Sequence, residues 1–142
     1  MVLWRISNYS DLSGEGGLLA EGRWHRRGSP IVYCADHPAL ALVEVLVHLD
    51  YDLVPKTYQW LRIDAPDDLE VMTVDQLPAE NDGCRALGQA WLDGATTALL
   101  SVPSVMVPAA RNLLINPLHA GHKAIKIVER IQWPLDARLA GP

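Results

Sequence analysis

PIVYCADHPALALVEVLVHL, residues 30–49, contains a change from strand-type to helix-type sequence. Pro30 to Ala35 is rich in β-branched and aromatic side chains, which favour a strand. Asp36 is a good N-cap residue and Pro38 suits the first turn of a helix, so we predict a helix from Pro38 to about Leu49. Because that helix is apolar nearly all round, we expect it to be buried.

The rest of the chain divides into a long loop, one further helix and several short strands. The glycine-rich polar segment from Asp11 to Gly28 predicts the loop. Apolar residues at helical spacing predict a helix over about 81–93 that ends at Gly94. Strands are predicted over 2–6, 57–63, 70–74, 98–102, 111–116 and 126–133, with Pro103 ending the strand at 98–102 and a frayed tail after Pro134. No repeat or linker is present, so we expect one mixed α+β domain over residues 1–142, with more strands than helices.

Composition and charge exclude several classes of protein. Twelve Lys and Arg residues against 17 Asp and Glu residues give a net charge of −5, so an anion site must be local and direct DNA binding by this chain is not expected. The two cysteines, Cys34 and Cys84, form neither a disulfide framework nor a thiolate metal cage, which favours the cytoplasm. The early Arg5 argues against a signal peptide, and no apolar run approaches the ~20 residues of a membrane span.

One carboxylate, Glu44, interrupts the apolar helix. An unpaired buried carboxylate costs several kcal/mol, so we expect either a structural ion pair with an arginine or a polar cleft in which the charge is used. His48, one turn later, shares its face and is a second hydrogen-bonding candidate. The five Trp and four Tyr residues, with no Phe, favour a pocket or interface that uses the polar edges of several of them, while core packing is the commoner fate of any single one.

The loop at 11–28 has the chemistry of a weak anion site. Its glycines and Arg23 offer backbone amides and a guanidinium to phosphate oxygens. A dinucleotide fingerprint is absent because the third glycine is missing and no helix is predicted to follow it. We expect Arg26 and Arg27 to lie in a solvated turn.

Polar residues near the later strands raise the questions of a nucleophile and of a metal site. Ser101 and Ser104 lie outside a Gly-x-Ser-x-Gly elbow, so a hydroxyl that orients a ligand is favoured over a nucleophile. His119 and His122, with Glu44 or His48, match no established zinc spacing, so we expect no metal site.

Short motifs in a fixed order resemble the RES-domain family over nearly the whole chain. They are Trp4-Arg5-Ile6-Ser7, Ser13-Gly14-Glu15-Gly16-Gly17, Gly22-Arg23-Trp24-His25, Val32-Tyr33, Leu42 to Leu49, Val102-Pro103-Ser104 and Asn112 to His119. The chain departs from the family pattern at His25, where Asn is usual, at Ala110, where Glu is frequent, and at Ala120, where Pro is common.

The resemblance implies a fold, a function and a site. RES proteins are toxins paired with an Xre-type helix-turn-helix antitoxin, and their fold is similar to the mono-ADP-ribosyltransferase core. Members cleave NAD+ by hydrolysis or phosphorolysis, or transfer its ADP-ribose to a protein. The family's functional residues fall on Arg5, Arg23, Tyr33, Glu44 and Ser104.

These residues fit cleavage of the bond between nicotinamide and ribose. Its leaving group is already cationic, so one carboxylate suffices for the oxocarbenium-like transition state, and that role falls to Glu44. Arg5 and Arg23 would anchor the pyrophosphate, Tyr33 would stack on the nicotinamide or ribose, and Ser104 would orient it. NAD+ is then the substrate, with no separate cofactor.

Two other functions stay open, and so does the assembly. One is a mono-ADP-ribosyltransferase with a protein target, and the other is a non-catalytic module that pairs with a DNA-binding antitoxin. We expect a hetero-oligomeric toxin–antitoxin complex, with a homodimer as an alternative.

Overall fold

The computed structural model describes residues 1–140, in which seven strands form one sheet that three α-helices accompany. The strands are β1 (Val2–Ser7), β2 (Val32–Ala35), β3 (Tyr58–Asp64), β4 (Val71–Thr73), β5 (Leu99–Pro103), β6 (Arg111–Ile115) and β7 (Lys126–Trp133). The helices are α1 (Gly16–Leu19), α2 (Pro38–Val47) and α3 (Asn81–Gly94), and 3-10 turns cover Tyr51–Leu53, Ala120–Ala124 and Ala137–Ala140. The prediction of a single α+β domain with more strands than helices is confirmed. Over the described residues, every helix is too short or too polar to cross a membrane.

The sheet is mixed and opens between two central strands. Its order is β4-β5-β6-β2-β1-β3-β7, and β4 and β5 are the parallel pair. β2 pairs with β6 along its whole length, and β1 pairs in the same way with β3. β1 and β2, however, share a single register pair, Trp4 with Ala35. Beyond it the two strands part, and a guanidinium nitrogen of Arg5, Nη1, donates to the carbonyl oxygen of Tyr33 at 2.9 Å.

Two neighbouring apolar clusters on one face of the sheet flank this opening. Alternate residues of a strand share a face, so Tyr33 and Ala35 of β2 point the same way. Tyr33 packs against the cluster that includes Trp91 of α3, and Ala35 belongs to the cluster that includes Leu40 of α2. The helices therefore lie side by side over this face, each beside one half of the parted sheet. The opposite face has its own cluster, which includes Leu61 and Leu113.

The predicted junction at residues 30–49 is right in outline and wrong in two details. His37, not Asp36, caps α2: its Nδ1 accepts a hydrogen bond from the amide of Ala39 at 3.0 Å. The Asp36 carboxylate instead accepts from the amide of Arg111 at 3.1 Å, a partner remote in sequence. α2 is not buried all round, because the sheet covers one side only and just Leu40 and Ala41 are fully buried.

Other elements differ from the sequence predictions at their ends. The loop at 11–28 contains the single turn α1, and Pro103 is the last residue of β5. α3 includes Gly94, and the left-handed position that follows it is Ala95, with φ +48°. The predicted frayed tail contains a 3-10 turn over residues 137–140, while residues 141–142 lie outside the described part of the chain.

Candidate active site

A cavity of about 750 Å³ lies at the opening between β1 and β2, under α2 and α3. That volume is in the range of small-molecule sites. Arg5, Arg23, Tyr33 and Glu44 all line it, so the structure brings together four of the five residues that the family resemblance singles out. Ser104 is not among the lining residues, although its neighbours Pro103 and Val105 are.

Arg5 lies at the base of the cavity, where the strands part. Its Nη1 is held by the carbonyl of Tyr33, but its Nε is buried without a hydrogen-bond partner. Within residues 1–140, no carboxylate lies within ion-pair distance of it. A buried donor without a partner carries a desolvation cost that an acceptor atom of a ligand would remove.

Arg23 lines the cavity from the loop that precedes β2 and is half-buried. Its Nη1 donates to Oδ1 of Asn81, the first residue of α3, at 2.8 Å. Because Asn81 is neutral, this contact orients the guanidinium without compensating its charge. Arg26 and Arg27 are exposed, which agrees with the predicted solvated turn.

One face of α3 holds that loop in place. Arg85 Nε donates to the carbonyl of Gly22 at 3.3 Å, and its guanidinium pairs with Glu21 and Asp82. Gln89 Oε1 accepts from the amide of Arg26 at 2.8 Å. The backbone of α3 at Gly88 also lies so close to Trp24 that a Cβ there would overlap the Trp24 carbonyl. The position of Arg23 therefore depends on α3.

Tyr33 presents its ring to the cavity while its hydroxyl points into the protein. The hydroxyl oxygen accepts from the amide of Trp24 at 3.2 Å and lies 2.7 Å from Nδ1 of His25. Burial raises the pKa of Tyr33 well above its ordinary value of 10, so the phenol stays protonated. Stacking on a ligand is thus available to Tyr33, and proton release near neutral pH is not.

Glu44 projects from α2 into the cavity and is half-buried. The expected ion pair with an arginine is not found: in the described part of the chain no cation lies within 4.0 Å of its carboxylate. The second expectation, a carboxylate that faces a polar cleft, matches the structure. His48, one turn later, lines the same cavity.

Ser104 shapes a loop next to the cavity. Its Oγ accepts from the amides of Met106 at 3.1 Å and of Val107 at 3.0 Å, and its side chain is buried. These bonds fix the turn that brings Val105 and Met106 into the cavity lining. The structure therefore places Ser104 behind the wall of the site.

The remaining polar candidates form local structural contacts. His119 caps a 3-10 turn by accepting from the amide of Gly121, and His122 Nε2 lies 2.9 Å from the carbonyl of Leu12. Asn116 is buried and donates to the carbonyl of Leu92, whereas Asn112 donates to that of Cys34 and lines the cavity. Across residues 1–140, no three His, Cys, Asp or Glu side chains converge as metal ligands would.

Sequence reasoning missed three polar residues of the cavity lining, Glu21, Asn81 and Arg85. Asn81 and Arg85 are four residues apart in the helix that was predicted there, which puts them on one face. That spacing was the available signal. The spacing does not reveal that the loop contacts this face of α3, because the hydrogen bonds between the loop and the helix join residues about 60 positions apart.

The lining combines two carboxylates, Glu21 and Glu44, with aromatic rings and three guanidinium groups. Arg85 is paired with Glu21 and Asp82, whereas Arg5 and Arg23 have no carboxylate within 4.0 Å among residues 1–140, so these two arginines can accept an anionic group. Trp4, Trp24 and Tyr33 also line it, which agrees with the expectation that several aromatic side chains lie at a pocket, but Tyr33 turns its hydroxyl into the protein. Such a lining can bind an anionic group at Arg5 and Arg23 and a cationic group at Glu44.

Comparisons with known proteins agree with this description. The chain is 46% identical to the protein named Toxin Res of Pseudomonas putida, over 89% of this chain and 92% of that one. It is 39% identical to the Prs ADP-ribosylating toxin of a Sphingobium species, over 96% and 94% of the two chains. The fold matches a chain in the crystal structure of the M. tuberculosis MbcT–MbcA toxin–antitoxin complex with a TM-score of 0.72 at 20% identity, over 94% of this chain and 84% of that one. Residues 2–137 match the family model described as RES domain, and the chain belongs to that family.

Proposed function

We propose that this chain is the toxin of a toxin–antitoxin pair and that it cleaves NAD+ at the bond between nicotinamide and ribose. The observation that carries the proposal is one cavity in which Arg5 and Arg23 lie with Glu44, whose carboxylate has no cationic partner among residues 1–140. The name Toxin Res of one relative supports the role of a toxin, and the name Prs ADP-ribosylating toxin of another supports the chemistry, because ADP-ribosylation also breaks that bond.

In this mechanism Arg5 and Arg23 bind the pyrophosphate. The Arg5 Nε gains the acceptor that it lacks in the free protein, and Arg23 supplies an uncompensated guanidinium. Charge-assisted hydrogen bonds of this kind fix where the ribose lies relative to Glu44.

Glu44 then stabilises the positive charge that develops on the ribose as neutral nicotinamide departs. The carbon–nitrogen bond breaks with both electrons going to the nicotinamide ring, which needs no general acid because it is already cationic. A carboxylate in a partly dehydrated cavity stabilises such a charge more than one in water does. The ring of Tyr33 stacks on the nicotinamide or ribose and limits its motion.

The acceptor that attacks the ribose carbon defines the reaction. Water gives hydrolysis and phosphate gives phosphorolysis. A protein side chain gives the second candidate function, mono-ADP-ribosylation, which the 39% identical relative favours by its name. A third function, a non-catalytic module that pairs with a DNA-binding antitoxin, leaves the unpaired Glu44 without a use.

The partner and the compartment follow from the same proposal. An Xre-type helix-turn-helix antitoxin would cover the cavity in a hetero-oligomer, with a homodimer as the alternative, and would supply DNA binding that a chain of net charge −5 is not expected to provide. We place the toxin in the cytoplasm, where NAD+ is available and the two cysteines stay reduced. NAD+ is its substrate, and no further cofactor is needed.

The test is a product analysis of the chain freed from any antitoxin. NAD+ is incubated with it in phosphate buffer and in phosphate-free buffer, and nicotinamide and the ribose product are followed by NMR. We expect release of nicotinamide in at least one buffer, with ADP-ribose from water or its 1″-phosphate from phosphate. Labelling of a target protein without either small product would establish the transferase instead. No release and no labelling would reject cleavage and leave the binding module.

A further inference from the structure

His25 lines the same cavity next to Tyr33 and is almost completely enclosed. It is 2% exposed, and both of its ring nitrogens have partners. Nε2 lies 3.0 Å from the carbonyl oxygen of Ala20 and 3.3 Å from that of Gly17. Nδ1 lies 2.7 Å from the hydroxyl of Tyr33.

These partners determine where the protons lie. A carbonyl oxygen only accepts, so Nε2 carries the hydrogen and donates it. Burial lowers the pKa of His25, which keeps the ring neutral and leaves Nδ1 as an acceptor. The Tyr33 hydroxyl therefore donates to Nδ1, while its oxygen accepts from the amide of Trp24. The hydrogen bonds thus run in series from the Trp24 amide through the Tyr33 hydroxyl and the His25 ring to the Ala20 carbonyl, and each donor in the series has an acceptor.

The surrounding backbone is shaped around the same pair of side chains. A Cβ at Gly22 would lie 2.5 Å from the Tyr33 hydroxyl oxygen and 3.0 Å from His25 Nδ1. A Cβ at Gly17 would lie 3.1 Å from His25 Nε2 and would overlap the carbonyl of Ser29. The two glycines let the loop close tightly on the pair.

We propose that His25 is a positioning residue, which acts through Tyr33 by holding its hydroxyl away from the cavity and its ring in the cavity wall. The same imidazole ties the loop at residues 17–25 to β2. His25 thereby couples the segment that carries Arg23 to the ring that contacts substrate. This inference rests on the proposed NAD+ cleavage, because the ring of Tyr33 is given its role there.

A double-mutant cycle separates positioning through Tyr33 from a general effect on folding. His25→Leu, Tyr33→Phe and the double variant are compared with the unaltered chain by kcat and KM for nicotinamide release. We expect His25→Leu to lower kcat/KM about tenfold when Tyr33 is present. In the Tyr33→Phe background the same change should lower kcat/KM by a factor at least about three times smaller, because residues in contact are energetically coupled. His25→Asn, which has one acceptor and one donor, should recover part of the loss. Equal losses in both backgrounds would overturn the proposal.

An NMR measurement tests the inference without any turnover. In the 15N-labelled unaltered chain at neutral pH, we expect the His25 ring to be neutral with hydrogen on Nε2, and its Nδ1 signal to move in Tyr33→Phe. Hydrogen on Nδ1, or no change in Tyr33→Phe, would reject the arrangement. If the unaltered chain releases no nicotinamide, the proposed function fails, and the NMR result still decides whether His25 holds Tyr33.

Discussion

Gly88→Ala adds one methyl group to α3 and should displace the loop that carries Arg23 into the cavity lining. Gly88 is buried in the middle of α3, where its backbone meets Trp24 of the loop. A Cβ at this position would overlap the carbonyl oxygen of Trp24 and lie 2.7 Å from its carbonyl carbon. These are backbone atoms, which cannot rotate away as a flexible side chain would. Either α3 or the loop must move.

Two opposing effects determine how much Gly88→Ala changes the free energy of unfolding. Alanine in a helix interior is favoured over glycine by about 1 kcal/mol. Overpacking against a rigid neighbour costs about 1–3 kcal/mol, and a backbone clash lies at the upper end of that range. We therefore expect the free energy of unfolding to fall by about 1–2 kcal/mol, which lowers Tm by roughly 3–8 °C for a domain of this size. The shifted loop carries Arg23, so KM for NAD+ should rise as well.

Thermal unfolding and NAD+ kinetics of Gly88→Ala are to be compared with those of Gly94→Ala. Gly94 is the last residue of the same helix, and a Cβ there would meet nothing within 4 Å. The control should therefore be unchanged or gain up to about 1 kcal/mol from helix propensity. If Gly88→Ala proves as stable as Gly94→Ala and has the KM of the unaltered chain, the close packing of α3 on the loop is refuted.

Three further predictions concern binding, pH and the end of α3. Arg23→Ala should raise KM for NAD+ about tenfold or more with little change in kcat, because it removes a contact that binds the substrate before and during the reaction. The control Arg26→Ala, at an exposed site, should leave both constants unchanged. An unaltered KM in Arg23→Ala would show that Arg23 is structural. Because burial lowers the pKa of His25 in the folded chain, its contribution to stability is complete above about pH 6.5 and is lost as the pH falls through the folded pKa. The free energy of unfolding should then fall by at most about 1.4 kcal/mol per pH unit. Urea unfolding between pH 4 and pH 8 should show this slope, and His25→Asn should reduce it. Ala95→Gly should raise the free energy of unfolding by about 0.5–1 kcal/mol, because φ +48° strains alanine and not glycine, while no gain would show that the strain is absent.

Local sequence signals predicted the elements that depend on neighbouring residues. Pro38 in a first helical turn marked the start of α2, and β7 was predicted with its observed ends, Lys126 and Trp133. The cap of α2 was predicted wrongly because Asp36 is held by the amide of Arg111, 75 positions later. No local pattern carries that information.

Several residues of the cavity lining were predictable from the sequence, whereas their arrangement was not. Glu44 and Arg23 were singled out from the helix and loop patterns, the family resemblance added Arg5 and Tyr33, and all four line one cavity. What the sequence could not provide is how Arg23 is oriented, because its partner Asn81 lies 58 positions away on α3.

The orientations of Ser104 and His25 were the hardest features around the cavity to predict from sequence. Ser104 shares the family motif, yet its hydroxyl accepts two backbone hydrogen bonds in a loop beside the cavity. His25 departs from the family pattern, yet it is fully enclosed and contacts Tyr33. A motif gives the type of residue at a position, whereas these two roles depend on which way each side chain turns.

Nicotinamide release by Glu44→Gln tests the central claim most directly. This change keeps the size of the side chain and removes the charge that would stabilise the oxocarbenium-like transition state. The unaltered chain should release nicotinamide from NAD+, and the variant should do so at least about 100-fold more slowly while binding NAD+ with similar affinity by calorimetry. Release by Glu44→Gln at the rate of the unaltered chain would contradict the account, since the carboxylate in the cavity would then have no part in the reaction.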